Sequence, residues 1–370
     1  ESFQASEDKK SRGVYYSPGE IVVFMCMESL SYHLHRKTSI DFNDLGYFVH
    51  NGKFAREWSL DSILKTDKAL KNVKIADLAV GAGEFPIEMT KLLVNLRNTL
   101  TQYLPPPYQG NRSLYELKVH TIENSIYAMD IDPRAVEITK LRLSLTLYKD
   151  KGPGNPVNMN IYRGNSLTSD LWHTREAFDI VIGNPPYLGE KGNKEVFREI
   201  VETRFGKKYY QGKMDLYYFF FHRAIDICKD GGIICLITTN YYLTANGGEK
   251  LRLDIRSRTN ILRFIDFNQL KVFKNAMGQH NLITTLEKGS PSDSHKIEIT
   301  SLREKGPIKS YKTTPNEIFD GDRAYIRIVE SGDKSIKGIL DKISKGIPME
   351  GFCNVNQGLV SGADSLTNSH

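Results

Sequence analysis

Short apolar runs alternate along this chain with longer segments in which apolar residues recur at helical spacing. Seven of the short runs predict buried strands, at residues 73–79, 125–129, 158–163, 178–182, 233–238, 261–267 and 281–286. Helical spacing predicts the main helices, at residues 19–35, 85–100, 135–148 and 215–229. This alternation predicts an α/β fold on a mainly parallel seven-stranded sheet, with helices on both faces.

The same pattern divides the chain into three parts. Residues 1–12 are polar and charged and predict a flexible arm, whereas residues 13–289 carry the alternating strands and helices. Beyond residue 289 the periodicity weakens, which predicts a linker and a short C-terminal extension. The sequence begins at Glu1 and ends on polar residues, so we expect it to be a piece of a longer protein.

Composition narrows the class of protein without selecting a function. A chain of 370 residues with 40% hydrophobic and 25% charged residues is typical of a globular protein, and its apolar runs are too short for us to expect a membrane partner. The net charge of +6 permits a polyanionic partner but does not require one. The four cysteines lack zinc-like spacing, so we expect buried thiols in a reducing compartment and no metal site.

The most informative segment is Asn184-Pro185-Pro186-Tyr187, which directly follows the apolar run 178–183. The Asn184 side-chain oxygen and the Pro185 carbonyl can together accept both hydrogens of a planar amine. That arrangement frees the nitrogen lone pair, which is otherwise delocalised, to attack an electrophilic methyl group. The prolines fix the backbone dihedral φ without adding N–H donors, and Tyr187 offers a flat face for an extruded base. A simple proline-rich turn is the alternative.

A second group of residues follows the neighbouring strands. Residues 77–83 end a strand and open a helix, and their glycines let the backbone turn tightly beside a ligand, although a purely structural turn fits too. Pro86 and the absence of a phosphate-binding lysine exclude a dinucleotide fingerprint and a P-loop. Asp130 can accept both hydroxyls of a ribose, with helix capping as the alternative. Ligands of parallel sheets bind outside the carboxyl ends of the strands, where four sites fall: Gly81, Asp130, Asn165 and Asn184.

Together these motifs resemble those of the gamma-class adenine-N6 DNA methyltransferases, above all the methylase part of combined restriction-modification (type IIG) proteins. The resemblance runs from Gly13 to about Leu286. It implies a Rossmann-like fold, S-adenosylmethionine as methyl donor, and the exocyclic amine of a flipped-out adenine in double-stranded DNA as acceptor. Residues 13–289 would be the catalytic domain, and residues 290–370 a linker and the start of a truncated target-recognition region. The resemblance also implies a cytoplasmic bacterial or archaeal protein, with a nuclease domain in the parent chain.

The resemblance implies a role for individual residues as well. The cofactor-binding residues that it implies are Tyr16, Ser17, Pro18, Asp77, Ala79, Gly81, Gly83, Asp130, Ile131, Asn165, Ser166 and Asn184. The chain departs from the family pattern at three of its motifs. Ser17 stands where Thr is usual, Leu78 where Pro is usual, and Asn165 where Asp normally reads the adenine amine of the cofactor. The catalytic residues implied are Asn184, Pro185, Pro186 and Tyr187, which match without departure.

Two aromatic side chains are implied to stack on the flipped base, Tyr187 and Phe273. For Phe273 a core position near a strand is an equal alternative. The aromatic run 217–221 predicts a helix buried against the sheet rather than a stacking surface. The basic segment 189–213 predicts a mobile loop, which either meets DNA phosphates or forms a solvated face.

Three other functions stay open. A protein-glutamine N5-methyltransferase uses the same tetrapeptide on the same fold, but it lacks a Tyr-Ser-Pro motif so close before the glycine motif. RNA amino-methylation is disfavoured only weakly. A catalytically idle DNA-binding or specificity module is disfavoured because the tetrapeptide and both cofactor motifs are intact.

Overall fold

The computed structural model describes residues 19–151, 156–172, 178–268, 280–302, 309–328, 342–343, 345–347 and 351–353. The chain divides into two compact units, residues 1–328 and 329–370, and almost all of the described residues belong to the first. Among the described residues, no helix combines the length and the apolar character needed to cross a membrane.

Helices and strands alternate through the first unit. Its first half contains α1 (Gly19–Thr38), α2 (Phe42–Asn51), α3 (Leu60–Asn72), β1 (Ile75–Asp77), α4 (Glu84–Thr101), α5 (Pro106–Gln109), α6 (Leu114–Asn124), β2 (Ile126–Asp130), α7 (Pro133–Lys151), β3 (Asn160–Arg163) and β4 (Phe178–Gly183). Its second half contains α8 (Lys194–Val201), α9 (Arg204–Tyr209), α10 (Leu216–Ile227), β5 (Cys228–Thr239), α11 (Glu249–Arg258), β6 (Thr259–Asp266), β7 (Asn281–Lys288), β8 (Ile297–Ser301), β9 (Lys309–Thr313), α12 (Pro315–Ile318), β10 (Phe319–Asp320) and β11 (Tyr325–Ile326).

Nine strands of the described residues form one mixed, mostly parallel sheet in the order β3-β2-β1-β4-β5-β7-β6-β8-β9. The five strands from β3 to β5 are parallel to one another, as are β6 and β8. Strand β7 runs antiparallel to β5 and β6, and β9 runs antiparallel to β8. The α/β class is therefore confirmed, and all seven predicted strands are present.

The predicted number of strands is wrong, because β8 and β9 add two more. Both lie beyond residue 289, so the sheet continues past the point where the sequence pattern weakens. Strand β8 alternates buried isoleucines with polar residues, and β9, at the edge of the sheet, is mainly polar. Although four of the five β8 residues are buried, neither strand has the continuous apolar run that marks the central strands.

The central strands carry the core of the sheet. All six residues of β4 and all three of β1 are buried, as expected for parallel strands covered on both faces. Helix α1 packs against β4 and β5 and also contacts α2, α3 and α4. Its buried Glu28 accepts hydrogen bonds from Arg263 on β6 and Thr285 on β7, at 3.0 and 2.9 Å, and so joins this helix to the second half of the sheet.

Two further expectations need correction. The segment 189–213 is largely helical rather than a loop, because it contains α8 and α9. Cys26, Cys228 and Cys235 are buried as expected, but Cys353 is exposed.

Candidate active site

The predicted site residues that the structure describes lie at or just after the carboxyl ends of adjacent strands. We call this side of the sheet the site edge. Strands β1 to β5 are parallel, so the segments that follow them emerge at the same edge. Three backbone contacts connect these segments directly. The Gly81 N–H donates to Asp130 Oδ2 at 2.8 Å, the Gly164 N–H to the Asp130 carbonyl at 2.9 Å, and Ser166 Oγ to the Leu78 carbonyl at 2.7 Å.

The turn after β1 depends on two glycines. Gly81 and Gly83 have φ angles of 53° and 81°, in the left-handed region that other residues avoid. A Cβ on Gly83 would lie 2.8 Å from Thr139 Oγ1, so α7 packs directly against this turn. A Cβ on Gly81 would meet no atom within 4 Å, which leaves room in front of the turn for a ligand.

Asp130 ends β2, and backbone donors hold its carboxylate in place. Its Oδ2 accepts from Gly81 and its Oδ1 accepts from the Asp132 N–H at 2.9 Å. A carboxylate has about four acceptor positions, so Asp130 can still accept a hydrogen bond from a ligand hydroxyl. Burial raises the pKa of Asp130. The next residue, Ile131, has an exposed side chain.

Asp77 is the most deeply buried acid of this edge, with 2% of its surface exposed. Its Oδ1 accepts from the Ala79 N–H at 3.1 Å, whereas Oδ2 is buried without a hydrogen-bond partner among the described residues. Burial, reinforced by the charge of Asp130, raises the pKa of Asp77 to about 7. A buried oxygen without a donor suits a ligand that brings one.

Gly183 is a site residue that the sequence reasoning missed. It ends β4 directly before Asn184, and a Cβ there would lie 2.9 Å from Asp77 Oδ1. Because Gly183 lacks a side chain, the carboxyl group of Asp77 at the end of β1 can approach the start of the tetrapeptide. A glycine at the end of an otherwise apolar strand is the signal that could have identified it.

The tetrapeptide is held from within the protein. Asn184 and Pro186 are half-buried, and Pro185 is buried. The Tyr187 hydroxyl lies 2.7 Å from Asn184 Oδ1 and 3.1 Å from the Ile237 carbonyl of β5. Burial raises the pKa of this hydroxyl, so it stays protonated and can orient the Asn184 amide. The Tyr187 ring is only 8% exposed and meets Tyr217 edge-on, at 6.0 Å between centroids.

The turn after β3 is stabilised by a hydrogen bond within the turn and by a second one from helix α10. Asn165 Oδ1 accepts from the Leu167 N–H at 3.0 Å. The Leu167 carbonyl accepts from Arg223 Nη2 at 2.7 Å, and the Arg223 guanidinium lies 3.9 Å from the centre of the Phe205 ring. The aromatic residues 217–221 are buried, which confirms the predicted core helix. Arg223 is a second site residue that sequence reasoning missed, since nothing local in the sequence relates it to residue 167.

Some predicted site residues cannot be located in the structure. Tyr16, Ser17, Pro18 and Phe273 lie outside the described residues. The seven basic residues of the segment 189–213 are all exposed, namely Lys191, Lys194, Arg198, Arg204, Lys207, Lys208 and Lys213.

Comparisons with known proteins show which family model and which proteins this chain is similar to. Residues 124–273 match the model of the Eco57I restriction-modification methylase family. The chain is 27% identical over 246 residues to the type II restriction enzyme and methyltransferase RM.Eco57I of Escherichia coli, covering 57% of this chain and 24% of that protein. This chain is similar in sequence to type II restriction-modification methyltransferases. It is also 28% identical over 216 residues to the type II methyltransferase M.HindII of Haemophilus influenzae, covering 52% of this chain and 40% of that protein.

The chain therefore spans only about a quarter to two fifths of the length of these two relatives. Among solved structures, it is similar to the type IIL restriction-modification enzyme MmeI in complex with DNA, with a TM-score of 0.58 and 15% identity. That match covers 83% of this chain and 41% of the other. At such an identity the likeness shows a common fold.

Proposed function

We propose that this chain is the catalytic part of an S-adenosylmethionine-dependent DNA adenine-N6 methyltransferase, and that its parent is a restriction-modification protein. The observation that carries the proposal is that the glycine turn after β1 and the tetrapeptide after β4 lie next to each other. Asp77 ends β1 beside the glycine turn, and the missing side chain at Gly183 lets its carboxyl group approach the start of Asn184-Pro185-Pro186-Tyr187. A ligand held by the turn would thus lie next to an amine held by Asn184. The relatives, which are named as methyltransferases of DNA restriction systems, support the same reading.

The residues of the edge fit a nucleoside-bearing cofactor on a Rossmann-like sheet. The space before Gly81, the remaining lone pairs of Asp130 and the unpartnered Asp77 Oδ2 offer what a ribose and a donor group require. When bound, S-adenosylmethionine supplies an activated methyl group. The residues proposed to hold it are Tyr16, Ser17, Pro18, Asp77, Ala79, Gly81, Gly83, Asp130, Ile131, Asn165, Ser166 and Asn184.

The protein's part in the reaction is orientation and charge stabilisation. Asn184 Oδ1 and the Pro185 carbonyl accept the two amine hydrogens and stabilise the positive charge that appears on nitrogen. The Tyr187 hydroxyl fixes the amide orientation, because it already lies 2.7 Å from Asn184 Oδ1. Aligning the reacting atoms can contribute about 7–11 kcal/mol. No strong base is needed, since the nitrogen becomes acidic only as the new bond forms.

Double-stranded DNA is the proposed partner, with target-recognition and nuclease domains in the parent chain. The target adenine must leave the helix to reach Asn184, at a cost of a few kcal/mol of unstacking. Tyr187 and Phe273 are proposed to offset part of that cost by stacking. Because the Tyr187 ring is buried, it would have to present its face after a rearrangement.

The direct test is transfer of a tritiated methyl group from S-adenosylmethionine to DNA that lacks methylated adenine. We expect label in N6-methyladenine after digestion to nucleosides. Label confined to RNA or to a protein glutamine would support the corresponding alternative enzyme. Absence of both transfer and cofactor binding would favour the idle DNA-binding module.

Substitution of Asn184 by alanine tests the assigned chemistry. We expect Asn184→Ala to lower methyl transfer by at least about 100-fold, because one of the two acceptors for the amine hydrogens is lost. Cofactor binding, measured by isothermal titration calorimetry, should survive, because the other residues proposed to hold the cofactor are unchanged. Asn124→Ala, at the exposed end of α6, is the control and should keep full activity. Comparable turnover by Asn184→Ala would contradict the role given to this residue.

A further inference from the structure

The turn that follows β5 lies at the same edge of the sheet as Asn184. Strand β5 runs parallel to β4 with Leu236 opposite Gly183, so the 3₁₀ turn Asn240–Leu243 leaves β5 where the tetrapeptide leaves β4. The Tyr187 hydroxyl lies 3.1 Å from the Ile237 carbonyl, which joins the tetrapeptide to the end of β5. Residues of this turn are therefore neighbours of the proposed amine site.

This turn carries an exposed aromatic ring. Residues 184–243 are all described, and within them Tyr241 is the most exposed aromatic side chain, at 46%. Tyr187, from the tetrapeptide, is 8% exposed, and the aromatic residues of α10 are buried. Between β4 and the end of this turn, Tyr241 is thus the ring most accessible to an incoming ligand.

The backbone around Tyr241 is held firmly. The Asn240 N–H donates to the His280 carbonyl at 2.9 Å, and the Tyr242 N–H donates to the Tyr217 hydroxyl at 3.3 Å. Arg252 Nη1, on a fully buried side chain, donates to the Tyr242 and Ala245 carbonyls at 2.8 and 2.7 Å. Because this backbone is already ordered, a ligand that contacts it loses little main-chain conformational entropy on binding.

We propose that Tyr241 packs against one face of an unpaired DNA base held at the Asn184 site, the face that the buried Tyr187 ring does not reach without rearranging. A planar ring on a rigid turn suits this contact, because every nucleobase has a π-face and stacking tolerates any sequence. Thr244 and Asn246, which follow in the same loop, are exposed polar residues that extend the surface beyond the ring. The inference rests on the proposed function and adds to it a residue that contacts the nucleic acid.

The test measures binding rather than catalysis. A fluorescently labelled duplex with one central unpaired adenine is compared with the same duplex carrying an abasic site at that position. Binding of the chain to each is followed by fluorescence anisotropy, without a methyl donor. We expect the unmodified chain to prefer the adenine, and Tyr241→Ala to reduce that preference by roughly 5- to 150-fold, the range reported for stacking one base on an aromatic ring. Tyr241→Phe should keep the preference because it keeps the ring.

Tyr148→Ala is the matched control. Tyr148 is 62% exposed on α7, which starts just after the site edge at Pro133 and carries residue 148 about 22 Å along the helix. Circular dichroism checks that each variant folds. The proposal is overturned if Tyr241→Ala keeps the full preference, if Tyr148→Ala loses it equally, or if the unmodified chain has none. Failure of the proposed function is seen separately, as absence of methyl transfer by a chain that still prefers the unpaired adenine.

Discussion

At the scale of single residues, Asp77 lies where the glycine turn after β1 meets the tetrapeptide after β4. One of its oxygens accepts a hydrogen bond from the Ala79 N–H and lies where any side chain at residue 183 would stand. The other oxygen is buried without a partner among the described residues. The free protein therefore contains a carboxyl group whose charged form is poorly solvated, which a bound donor group would relieve.

This burial predicts a pH-dependent stability that Asp77→Asn should remove. The pKa of Asp77 is raised to about 7 in the folded chain, whereas an unfolded Asp titrates near 3.9. Between these two pKa values the folded state binds one proton more than the unfolded state does. The free energy of unfolding is therefore highest at low pH and falls as the pH rises to about 7. The loss is at most about 4 kcal/mol.

The measurement is urea unfolding of both chains between pH 5 and pH 8. We expect the unmodified chain to lose more stability over this range than Asp77→Asn, because only the former must ionise a buried acid. Equal slopes for the two chains would show that Asp77 is solvated and that its pKa is ordinary.

The grouping of these residues could be predicted only in part. Each candidate falls at the end of an apolar run, so the sequence indicated which residues would meet at one edge of a parallel sheet. The contact of Gly183 with Asp77, the bond of Tyr187 to Asn184 and the tie from Arg223 to Leu167 could not be predicted. They depend on side-chain packing between segments, two of them with more than 50 residues between the partners.

At the level of elements, the turn between β1 and α4 tolerates little change. Both of its glycines have positive φ, but only Gly83 is also crowded, by Thr139 of α7. The left-handed backbone alone costs about 1–2 kcal/mol for a residue with a Cβ. Crowding adds about 1–3 kcal/mol when the neighbour has to move.

We therefore expect Gly83→Ala to destabilise the chain by about 2–5 kcal/mol, and Gly81→Ala by only about 1–2 kcal/mol. The free energies of unfolding in urea give the comparison directly, and each variant serves as the control for the other. If both substitutions cost the same, then the packing of α7 against this turn is not what the structure describes.

Strands were predictable where they form a continuous apolar run and were missed where polar residues interrupt it. The central strands are continuous apolar runs, and their positions agree with the sequence pattern. Strand β9 is an edge strand whose exposed face is polar, so its sequence resembles a loop. Helix α8 has eight residues and buries only Phe197 and Ile200, too few to reveal a helical period among so many charges.

For the molecule as a whole, the extra strands change where a stable unit can end. Strand β8 pairs with β6, and Ile297 and Ile299 on it are fully buried. Residues 290–328 thus complete the sheet that carries the proposed site. The sequence pattern alone would allow the folded unit to stop at residue 289.

We expect a chain ending at residue 289 to unfold at a lower temperature than a chain ending at residue 328, or to aggregate. The shorter chain would expose the edge of β6 and the apolar surface that the two isoleucines cover. Calorimetry and size-exclusion chromatography of the two chains provide the measurement. Equal melting temperatures with both chains monomeric would show that β8 and β9 add nothing to the stability of the sheet.

The reversal of β7 has a consequence for how such proteins diversify. Because β7 is antiparallel to both β5 and β6, the end of β6 at Asp266 and the start of β7 at Asn281 lie beside the segments that are proposed to hold the amine. The described pairing of β6 with β7 ends at Asp266 and Leu282, so a change in the number of residues between these strands leaves that pairing in place. Substrate choice can therefore change in the segment between β6 and β7, while the strands keep the scaffold unchanged.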